Sequence, residues 1–320
     1  MTRLLSRAAA AALLAWLLHA APSPAADPSF ESVWQDGRAE LCGYRYVVTR
    51  YGQSRGGQAV AVYVTEPFSE RRRVKLDDPT ASPGDAFEAL KLNLVRDFQT
   101  GIYDYNTMTS LFVRSSDFVP AKISFSSAEW CGHVYEELRF DRGAVRQSIR
   151  SYFEGESADR SLEAPRGGVP EENLHVLLRG LRGDFLPPGR TRSVPFLPSA
   201  FARRLVHSKA AWGSAVIERA ARPETVRVPA GSFEADRYTI RASDGREGRY
   251  WIESAPPRRV LRWTWTGGPR DGRMSGDAAE AAELTGSERL PYWRLHGNGD
   301  EELLRRLGLD PLPAAGSPRE

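Results

Sequence analysis

Apolar and polar side chains alternate along most of the chain between residues 39 and 153, which is the period of a β-strand. The stretch "CGYRYVV" places Cys42, Tyr44 and Tyr46 on one face, and "AVAVYVT" resumes the alternation after the glycine-rich break "GQSRGGQ". Further along, "LKLNLV", "KISFSS" and "AVRQSIRSYF" repeat the pattern. The first half of the chain is therefore predicted to be an antiparallel meander.

A second group of strands is predicted between residues 204 and 266. Asp244 and Gly245 give a strong hairpin-turn signal inside it. In the last strand of the group, Leu261, Trp263 and Trp265 fall on one face at a spacing of two. These residues predict a second, shorter meander.

Two short helices are predicted outside the meanders. Leucines recur at helical spacing through "EENLHVLLRGLRG", which predicts an interior helix at about 171–182. The stretch "DEELLRRLGL" predicts a short C-terminal helix, with Asp300 as its N-cap and Gly308 as its stop.

Together these elements predict a mainly β protein with a large curved antiparallel sheet, or incomplete barrel, built from meanders. Residues 27–290 are predicted to form a single β-rich domain. Its two meander halves, at about 39–153 and 204–266, are joined by the connection that contains the interior helix. Residues 291–320 are predicted to hold the C-terminal helix and a disordered tail.

The N-terminus has the pattern of a cleavable signal peptide. Arg3 and Arg7 precede an apolar run at 8–21, and prolines and small residues follow it. The run is shorter than the roughly 20 residues that span a bilayer. We therefore predict that residues 1–26 are removed, and that the mature protein is periplasmic or secreted without a transmembrane segment.

The charge of the chain argues against nucleic acid as a partner. Lys and Arg number 44 against 41 Asp and Glu, and the formal net charge is +3. A nucleic-acid-binding protein needs a net basic face, whereas these basic residues are scattered among acidic ones. No nucleic-acid partner is therefore predicted.

The stretch "EWCGHVYEE", residues 129–137, contains several side chains that could take part in catalysis or bind a metal ion. Read as a strand, it directs Trp130 and Val134 to the core and His133 and Glu137 to the other face. Glu136 would share the apolar face, where we expect it at a sheet margin or beside a partner such as an arginine.

Distances along a strand argue against catalysis or metal binding within this stretch. His133 and Glu137 would lie roughly 13 Å apart, too far to share one zinc ion. Cys131 and His133 would lie roughly 6.5 Å apart, whereas a nucleophile and its base need about 3 Å. No metal site, cofactor or catalytic residue is therefore predicted.

The chain has two cysteines, Cys42 and Cys131, both in predicted strands. Disulfides are typical of exported proteins, and we predict a bond that closes a loop of about 90 residues and stabilises the fold by roughly 4–5 kcal/mol. The alternative is a pair of separate buried thiols.

The runs "VRVPAGSFEADRYTIR" and "YWIESAPPRRVLRW" resemble the closing strands of an uncharacterised bacterial family of exported, periplasmic β-rich proteins of unknown function. The stretches "LKLNLVRDFQTGIYDYNTMTS" and "KISFSSAEWCGHVYEEL" resemble the front half of a narrower group of the same kind. This resemblance covers about residues 40–290. The family is in turn loosely similar to the half-barrels of lipoprotein and lipid carriers. It implies a curved half-barrel and no catalytic residue.

Three functions are compatible with this sequence. The first is a non-catalytic binding or carrier module for a lipid or another apolar or amphipathic molecule in the cell envelope, with candidate ligand-binding residues Tyr103, Tyr105, His133, Tyr135 and Glu137. The second is an envelope assembly or interaction protein with another envelope protein as its partner. The third is a hydrolase that uses the region of His133, Glu136 and Glu137, or that of Asp97 and Asp104.

Overall fold

The computed structural model describes residues 29–267, 269–270, 273–274 and 278–311. The predicted signal peptide at 1–26 and the end of the predicted C-terminal tail lie outside these residues. Within them, no helix is long and apolar enough to span a membrane.

Strands dominate the described residues. In chain order they are β1 (Ala39–Arg50), β2 (Gln53–Ser69), β3 (Ala86–Thr100), β4 (Tyr103–Arg114), β5 (Pro120–Glu129), β6 (Gly132–Asp141), β7 (Ala144–Ser151), β8 (Ala158–Glu163), β9 (Val169–Pro170), β10 (Thr191–Leu197), β11 (Gly213–Arg219), β12 (Glu224–Val228), β13 (Gly231–Ala242), β14 (Arg246–Glu253), β15 (Val260–Gly267), β16 (Pro269–Arg270), β17 (Arg273–Met274) and β18 (Ala278–Leu290).

The helices are few and short. Three are α-helical, namely α1 (Phe30–Trp34), α2 (Leu174–Leu177) and α3 (Ala200–Leu205). Single turns or short runs of 3₁₀-helix lie at Pro79–Ala81, Pro83–Asp85, Glu171–Asn173, Tyr292–Arg294 and Asp300–Leu307.

One sheet of 16 strands organises the described residues, in the order β8-β7-β6-β5-β4-β3-β2-β1-β18-β15-β14-β13-β11-β10-β9, with β12 paired to β13. The sheet does not close on itself, and β9 with β10 is its one parallel pair. The predicted fold class, a large open sheet built mostly from antiparallel meanders with few helices, is confirmed. Strand β18 joins the two meanders because it pairs with β1 on one side and β15 on the other.

The main core lies on one face of the sheet, which we call the inner face. Side chains from both meanders meet there, among them Tyr44, Leu92, Ile217 and Trp263. The helices α1, α2 and α3 add apolar side chains to the same core. The inner face is therefore covered by the chain itself.

The interior helix is shorter than the predicted 171–182. A 3₁₀ turn at Glu171–Asn173 leads into α2, which ends at Leu177, and Gly180 then takes a positive φ of 62°. Residues 169–176 are buried on every side, because the segment passes through the core. The leucine spacing therefore reflected an apolar surrounding and not one face of a longer helix. The predicted C-terminal helix is present at Asp300–Leu307, as a 3₁₀-helix followed by Gly308.

The stretch at 129–137 is a hairpin turn followed by a strand. Strand β5 ends at Glu129 and β6 begins at Gly132, so Trp130 and Cys131 form the tip between them. The prediction that Trp130 faces the core is wrong, because 69% of its surface is exposed. The predicted alternation is confirmed from Val134 onward: Val134 and Leu138 are buried on the inner face.

The predicted disulfide between Cys42 and Cys131 is also wrong. Both thiols are free, with Cys42 buried and Cys131 exposed. Cys42 lies on β1, four steps across the sheet from β5, which corresponds to roughly 19 Å. A bond needs Cα atoms within about 7 Å, so these two residues cannot meet.

The C-terminal helix docks on the outer face of the sheet through a pair of glycines. Gly43 and Gly286 are opposite each other on β1 and β18. A Cβ atom on Gly43 would lie 2.2 Å from the carbonyl oxygen of Leu307, and one on Gly286 would lie 2.3 Å from that of Arg306. The absence of side chains is therefore what lets the helix backbone approach the sheet.

Replacing Gly43 by valine should displace the C-terminal helix and lower the free energy of unfolding by about 1–3 kcal/mol, the usual cost of overpacking. Hydrogen exchange measured by mass spectrometry should become faster in peptides that cover residues 300–309. Gly56→Val is the matched control, because a Cβ there meets nothing within 4 Å. Unchanged exchange in the Gly43 variant would contradict this account of the docking.

Candidate functional site

An open cleft of about 460 Å³ lies between the inner face of the first meander and the segment that contains α3. This volume is within the range of small-molecule sites. The lining comes from three places: strands β5–β7, the β7–β8 connection with the start of β8, and residues 200–209.

The floor of the cleft is a cross-strand row on β5, β6 and β7. Phe125 is opposite Glu136, and Glu136 is opposite Ile149. Val134 extends this surface along β6. Because alternate residues of a strand share a face, the row presents apolar side chains around one carboxylate.

That carboxylate is neutralised by the wall of the cleft. Arg203 of α3 donates to Glu136 Oε1 at 2.7 Å, and Gln147 donates to the same oxygen at 2.9 Å. The neighbouring Arg204 forms an ion pair with the buried Glu129. Two arginines of one short helix therefore hold α3 against the sheet and satisfy the inward-facing acids. The sequence expectation of an arginine partner for Glu136 is confirmed.

The N-terminus of α3 is fixed from the other side of the core. Ser199 is its N-cap, and the Ser199 hydroxyl accepts from the Ala202 amide at 3.1 Å. Glu171 accepts from both the amide and the hydroxyl of Ser199, and Glu172 accepts from the Ala200 amide at 2.8 Å. Carboxylates are favourable at a helix N-terminus because its amide groups lack partners.

The mouth of the cleft is formed by the β7–β8 connection and the residues after α3. His207 Nδ1 lies 2.6 Å from Glu156 Oε1, and the His207 ring packs edge-on against Phe153 with centroids 5.0 Å apart. The guanidinium of Arg204 lies 4.2 Å from the centre of the Phe153 ring. These contacts join the two sides of the mouth.

Two cations in the cleft have no ion-pair partner within the described residues. They are Arg160 on β8 and Lys209 after α3. One exposed carboxylate of the lining, Glu154, is likewise without an ion pair in that part of the chain. Apart from the Glu156–His207 pair, in which the histidine is charged only when protonated, the lining groups without an ion pair sum to +1, from two cations and one anion.

A second polar group lies deeper, beside a void of about 10 Å³, which is room for about one water molecule. Its lining includes Glu172 and His175, both buried. Burial raises the pKa of Glu172 from its usual 4.5 to about 7 and lowers the pKa of His175 from 6.5 to about 3. Neither side chain lines the cleft, so this group belongs to the core.

The five predicted ligand-binding residues divide between the two faces. Tyr103 and Tyr105 face inward near the tip of the β3–β4 hairpin, with ring centroids 5.8 Å apart. Tyr135 and Glu137 face outward and bond to each other at 3.2 Å. His133 is exposed on the same outer face.

These positions bear on the hydrolase hypothesis. His133 and Glu137 lie on the outer face, whereas Glu136 points inward to Arg203. On the neighbouring hairpin, Asp97 accepts a hydrogen bond from Asn106, and Asp104 is exposed. In the residues that the structure describes, no three His, Cys, Asp or Glu side chains converge as a metal site requires.

Comparisons with known proteins give no family. No family model matches the chain, and no curated protein matches it. Among solved structures, a protein from Bacteroides fragilis NCTC 9343, described as a "putative exported protein with YmcC-like fold", aligns over 78% of this chain and 95% of its own, at 11% identity and a TM-score of 0.24. At that score the similarity carries no argument about fold or function.

The residues that form the wall and mouth of the cleft were not predicted as site residues. Arg203 follows a proline-rich passage without a predicted element, whereas Arg204, His207 and Lys209 fall at the start of the region 204–266 that was predicted as strands. That start of the region is wrong, because α3 runs to Leu205 and the next strand, β11, begins at Gly213. One local signal was available, since Ser199 before "AFARRL" is typical of a capped helix start. The meeting of this helix with strands β5–β7 has no local signal.

Proposed function

We propose that this protein is a non-catalytic binding or carrier module for an amphipathic small molecule that has an anionic end group. The observation that carries the proposal is the cleft of about 460 Å³, which combines an apolar floor with uncompensated cations. A pocket that is mainly apolar, with a few converging polar groups, is typical of small-molecule sites.

The apolar part of such a ligand fits the floor. Phe125, Val134 and Ile149 surround the neutralised Glu136 there, and Phe153 closes one side. Burial of hydrocarbon against these side chains supplies roughly 25 cal/mol for each Å² removed from water. The floor therefore contributes affinity for the hydrocarbon part of the ligand without selecting its exact shape.

The anionic end of the ligand fits the two cations without ion pairs. Arg160 and Lys209 line the cleft, and their charges are not already used by described acids. Arg203 and Arg204 differ, because Glu136 and Glu129 neutralise them. An anion beside Arg160 and Lys209 would form charge-assisted hydrogen bonds, which are the stronger kind.

We further propose that the module acts in the cell envelope after export. The support is the basic head, apolar run and small-residue site at 1–26. Protein recovered from the periplasm should begin near residue 27 when its N-terminus is sequenced. A mature protein that still starts at Met1 would contradict export with cleavage.

Binding can be measured with cis-parinaric acid, a fluorescent long-chain carboxylic acid, and with its uncharged methyl ester. The protein is used without residues 1–26, since their apolar run binds lipid by itself. The acid should give a saturable rise in fluorescence. Ile149→Trp, which fills the floor, should abolish that rise, and Lys209→Glu should weaken the acid about tenfold while it leaves the ester unchanged.

Controls separate the cleft from general effects of each change. Val216→Trp adds an exposed tryptophan on β11, and Lys75→Glu reverses an exposed lysine at the other end of the sheet. Both should bind as the parent does, and Glu154→Gln should bind the acid more tightly. If the acid does not bind, or if Ile149→Trp binds it normally while folded, the proposed function is wrong.

A further inference from the structure

The four hairpins at one end of the first meander each carry a large exposed hydrophobic side chain at the tip. They are Tyr51 (58% exposed), Ile102 (80%), Trp130 (69%) and Tyr152 (66%). They lie in the connections β1–β2, β3–β4, β5–β6 and β7–β8, in that order. We call these four residues the tip row.

The register of the sheet places all four tips along one straight rim. Gly57, four residues below the top of β2, pairs with Phe98, which is two residues below the top of β3. Each later hairpin repeats this step, since Tyr105 pairs with Glu129 and Val134 with Ser151. Every hairpin therefore ends two residues lower than the one before.

A constant step of this kind is what tilted strands produce. Two residues along a strand and two strand spacings across give a tilt of roughly 35°, and neighbouring tips stand roughly 12 Å apart. Single exposed hydrophobic side chains scattered over a surface are normal and need no explanation. The tip row differs, because its four side chains line up along one rim.

The conformation of Tyr51 supports a role for the rim. Tyr51 and Gly52 form the two-residue turn of the first hairpin with φ values of 54° and 71°. This turn favours Asn or Asp before glycine, and a left-handed conformation costs a bulky residue roughly 1–2 kcal/mol. Tyr51 therefore occupies a position where its local preference is poor. Its hydroxyl lies 3.0 Å from that of Tyr105 and Arg50 lies 4.4 Å from the centre of its ring, yet the residue remains more than half exposed.

The cleft opens at the same end of the molecule. Tyr152 of the tip row is followed directly by Phe153 and, four residues on from Tyr152, by Glu156, which form the mouth together with His207. A flat surface placed against the tip row would therefore face the mouth. This continuity links the exposed row to the site that holds the ligand.

We propose that the tip row docks on the surface of a lipid bilayer, so that the cleft exchanges its amphipathic ligand with the membrane. Tyrosine and tryptophan are the side chains favoured at the membrane–water interface. Tyr103 and Tyr105 connect Tyr51 to Trp130 in a row of aromatic rings along the rim, and a row of tyrosine and tryptophan is the composition found at the membrane–water interface. The proposal rests on the proposed function, because a membrane is the source of such a ligand.

Charge at this end of the sheet predicts how docking depends on lipid. The basic Arg50, Arg160 and Lys209 lie at this end together with the exposed Asp104 and Glu154, which leaves an excess of one positive charge among these groups. Because one charge adds little attraction to anionic headgroups, insertion of apolar side chains should dominate. Binding to vesicles should change little between 50 mM and 500 mM salt, since screening acts on charge pairs alone.

The test is co-sedimentation of the protein, without residues 1–26, with sucrose-loaded vesicles of phosphatidylcholine alone or with added phosphatidylglycerol. The parent should bind both kinds. The variant with Tyr51→Ser, Ile102→Ser, Trp130→Ser and Tyr152→Ser should lose at least tenfold in partition coefficient. The control variant, Val119→Ser with Trp293→Ser, removes exposed hydrophobics outside the tip row and should bind as the parent does.

Two readouts keep this proposal separate from the binding proposal. The tip variant should bind cis-parinaric acid normally in solution, whereas Ile149→Trp should still bind vesicles. Failure of the parent to bind either kind of vesicle, or normal binding by the folded tip variant, would overturn the docking proposal. So would self-association of the parent in sedimentation velocity that disappears in the tip variant without vesicle binding, because the row would then be a protein interface.

Discussion

Replacing Arg179 by methionine is expected to lower the free energy of unfolding by about 3–5 kcal/mol, the cost of leaving one partner of a buried ion pair uncompensated. Arg179 is fully buried, and its Nη2 lies 2.8 Å from Glu40 Oε1. Methionine fills much of the same space, so the loss measures charge and hydrogen bonds more than cavity formation.

The contacts of Arg179 explain why the effect should be large. Its guanidinium donates to the carbonyl oxygens of Arg258 and Pro257 at 2.9 Å each, in addition to the bond with Glu40. Its charge also lies 4.5 Å from the centre of the Tyr63 ring. One side chain therefore ties the segment after α2 to β1 and to the β14–β15 connection, which belong to different meanders.

The measurement is the midpoint of urea unfolding together with its slope. The double variant Arg179→Met with Glu40→Leu should recover much of the loss, because replacing both members of a buried pair by apolar groups is often nearly neutral. Arg305→Met is the control, since its pair with Glu302 is exposed and exposed ion pairs contribute little to stability. Equal effects at both arginines would contradict a special role for Arg179.

The strands of the first meander were predictable because their inner and outer faces meet different surroundings. The sequence alternates around Tyr46 and Leu92 because one face of each strand is buried there and the other is more exposed. The segment at 171–178 lacks this asymmetry. It is surrounded by core, so apolar spacing there carries no information about which face of a helix is buried.

Strand β18 was not predicted because its local preferences favour a helix. The stretch "AAEAAEL" is made of alanine, glutamate and leucine, which are strong helix formers. Between β1 and β15, however, both edges of the segment gain a full ladder of backbone hydrogen bonds. Tertiary pairing outweighs propensity here, and only the sheet order reveals it.

The candidate site depended on contacts between distant parts of the chain. Arg203 meets Glu136 across 67 positions, and Arg204 meets Glu129 across 75. For Glu136 the sequence left two expectations, a sheet margin or a partner such as an arginine, and the structure shows the arginine, since a buried carboxylate requires a partner. Which arginine would serve, and what volume the helix would leave beside the sheet, follow from the packing alone.

The second large effect expected concerns the pH dependence of stability, through Glu172 and His175. Burial raises the pKa of Glu172 to about 7, so between pH 4.5 and 6.5 this group keeps its proton in the folded state and loses it on unfolding. The folded state then binds more protons, and the contribution of Glu172 to stability falls as pH rises through this interval.

His175 acts in the opposite direction over the same interval. Burial lowers its pKa to about 3, so it stays neutral when folded but takes up a proton on unfolding below pH 6.5. The unfolded state then binds more protons, and the contribution of His175 rises with pH. Because each slope corresponds to one proton, the two nearly cancel between pH 4.5 and 6.5 in the parent protein.

Single substitutions should therefore reveal each pH dependence separately. As pH rises from 4.5 to 6.5, the free energy of unfolding of Glu172→Gln should increase by about 3 kcal/mol relative to that of the parent. That of His175→Phe should decrease by about as much, since one proton over two pH units corresponds to about 2.7 kcal/mol. Urea unfolding at a series of pH values measures both differences, and other titrating groups cancel in the comparison.

The charged side chains closest to Glu172 and His175 are already held in ion pairs. Glu171 is paired with Arg246 at 2.7 Å, and Arg96 is paired with Glu280 at 2.9 Å. In the Glu172→Gln variant, the new amide oxygen can still accept from the backbone amide that follows Ser199, so the helix start is preserved. Parallel stability curves for this variant and the parent would mean that Glu172 is ionised in the fold. The cancellation would then be absent, and His175→Phe alone would flatten the curve.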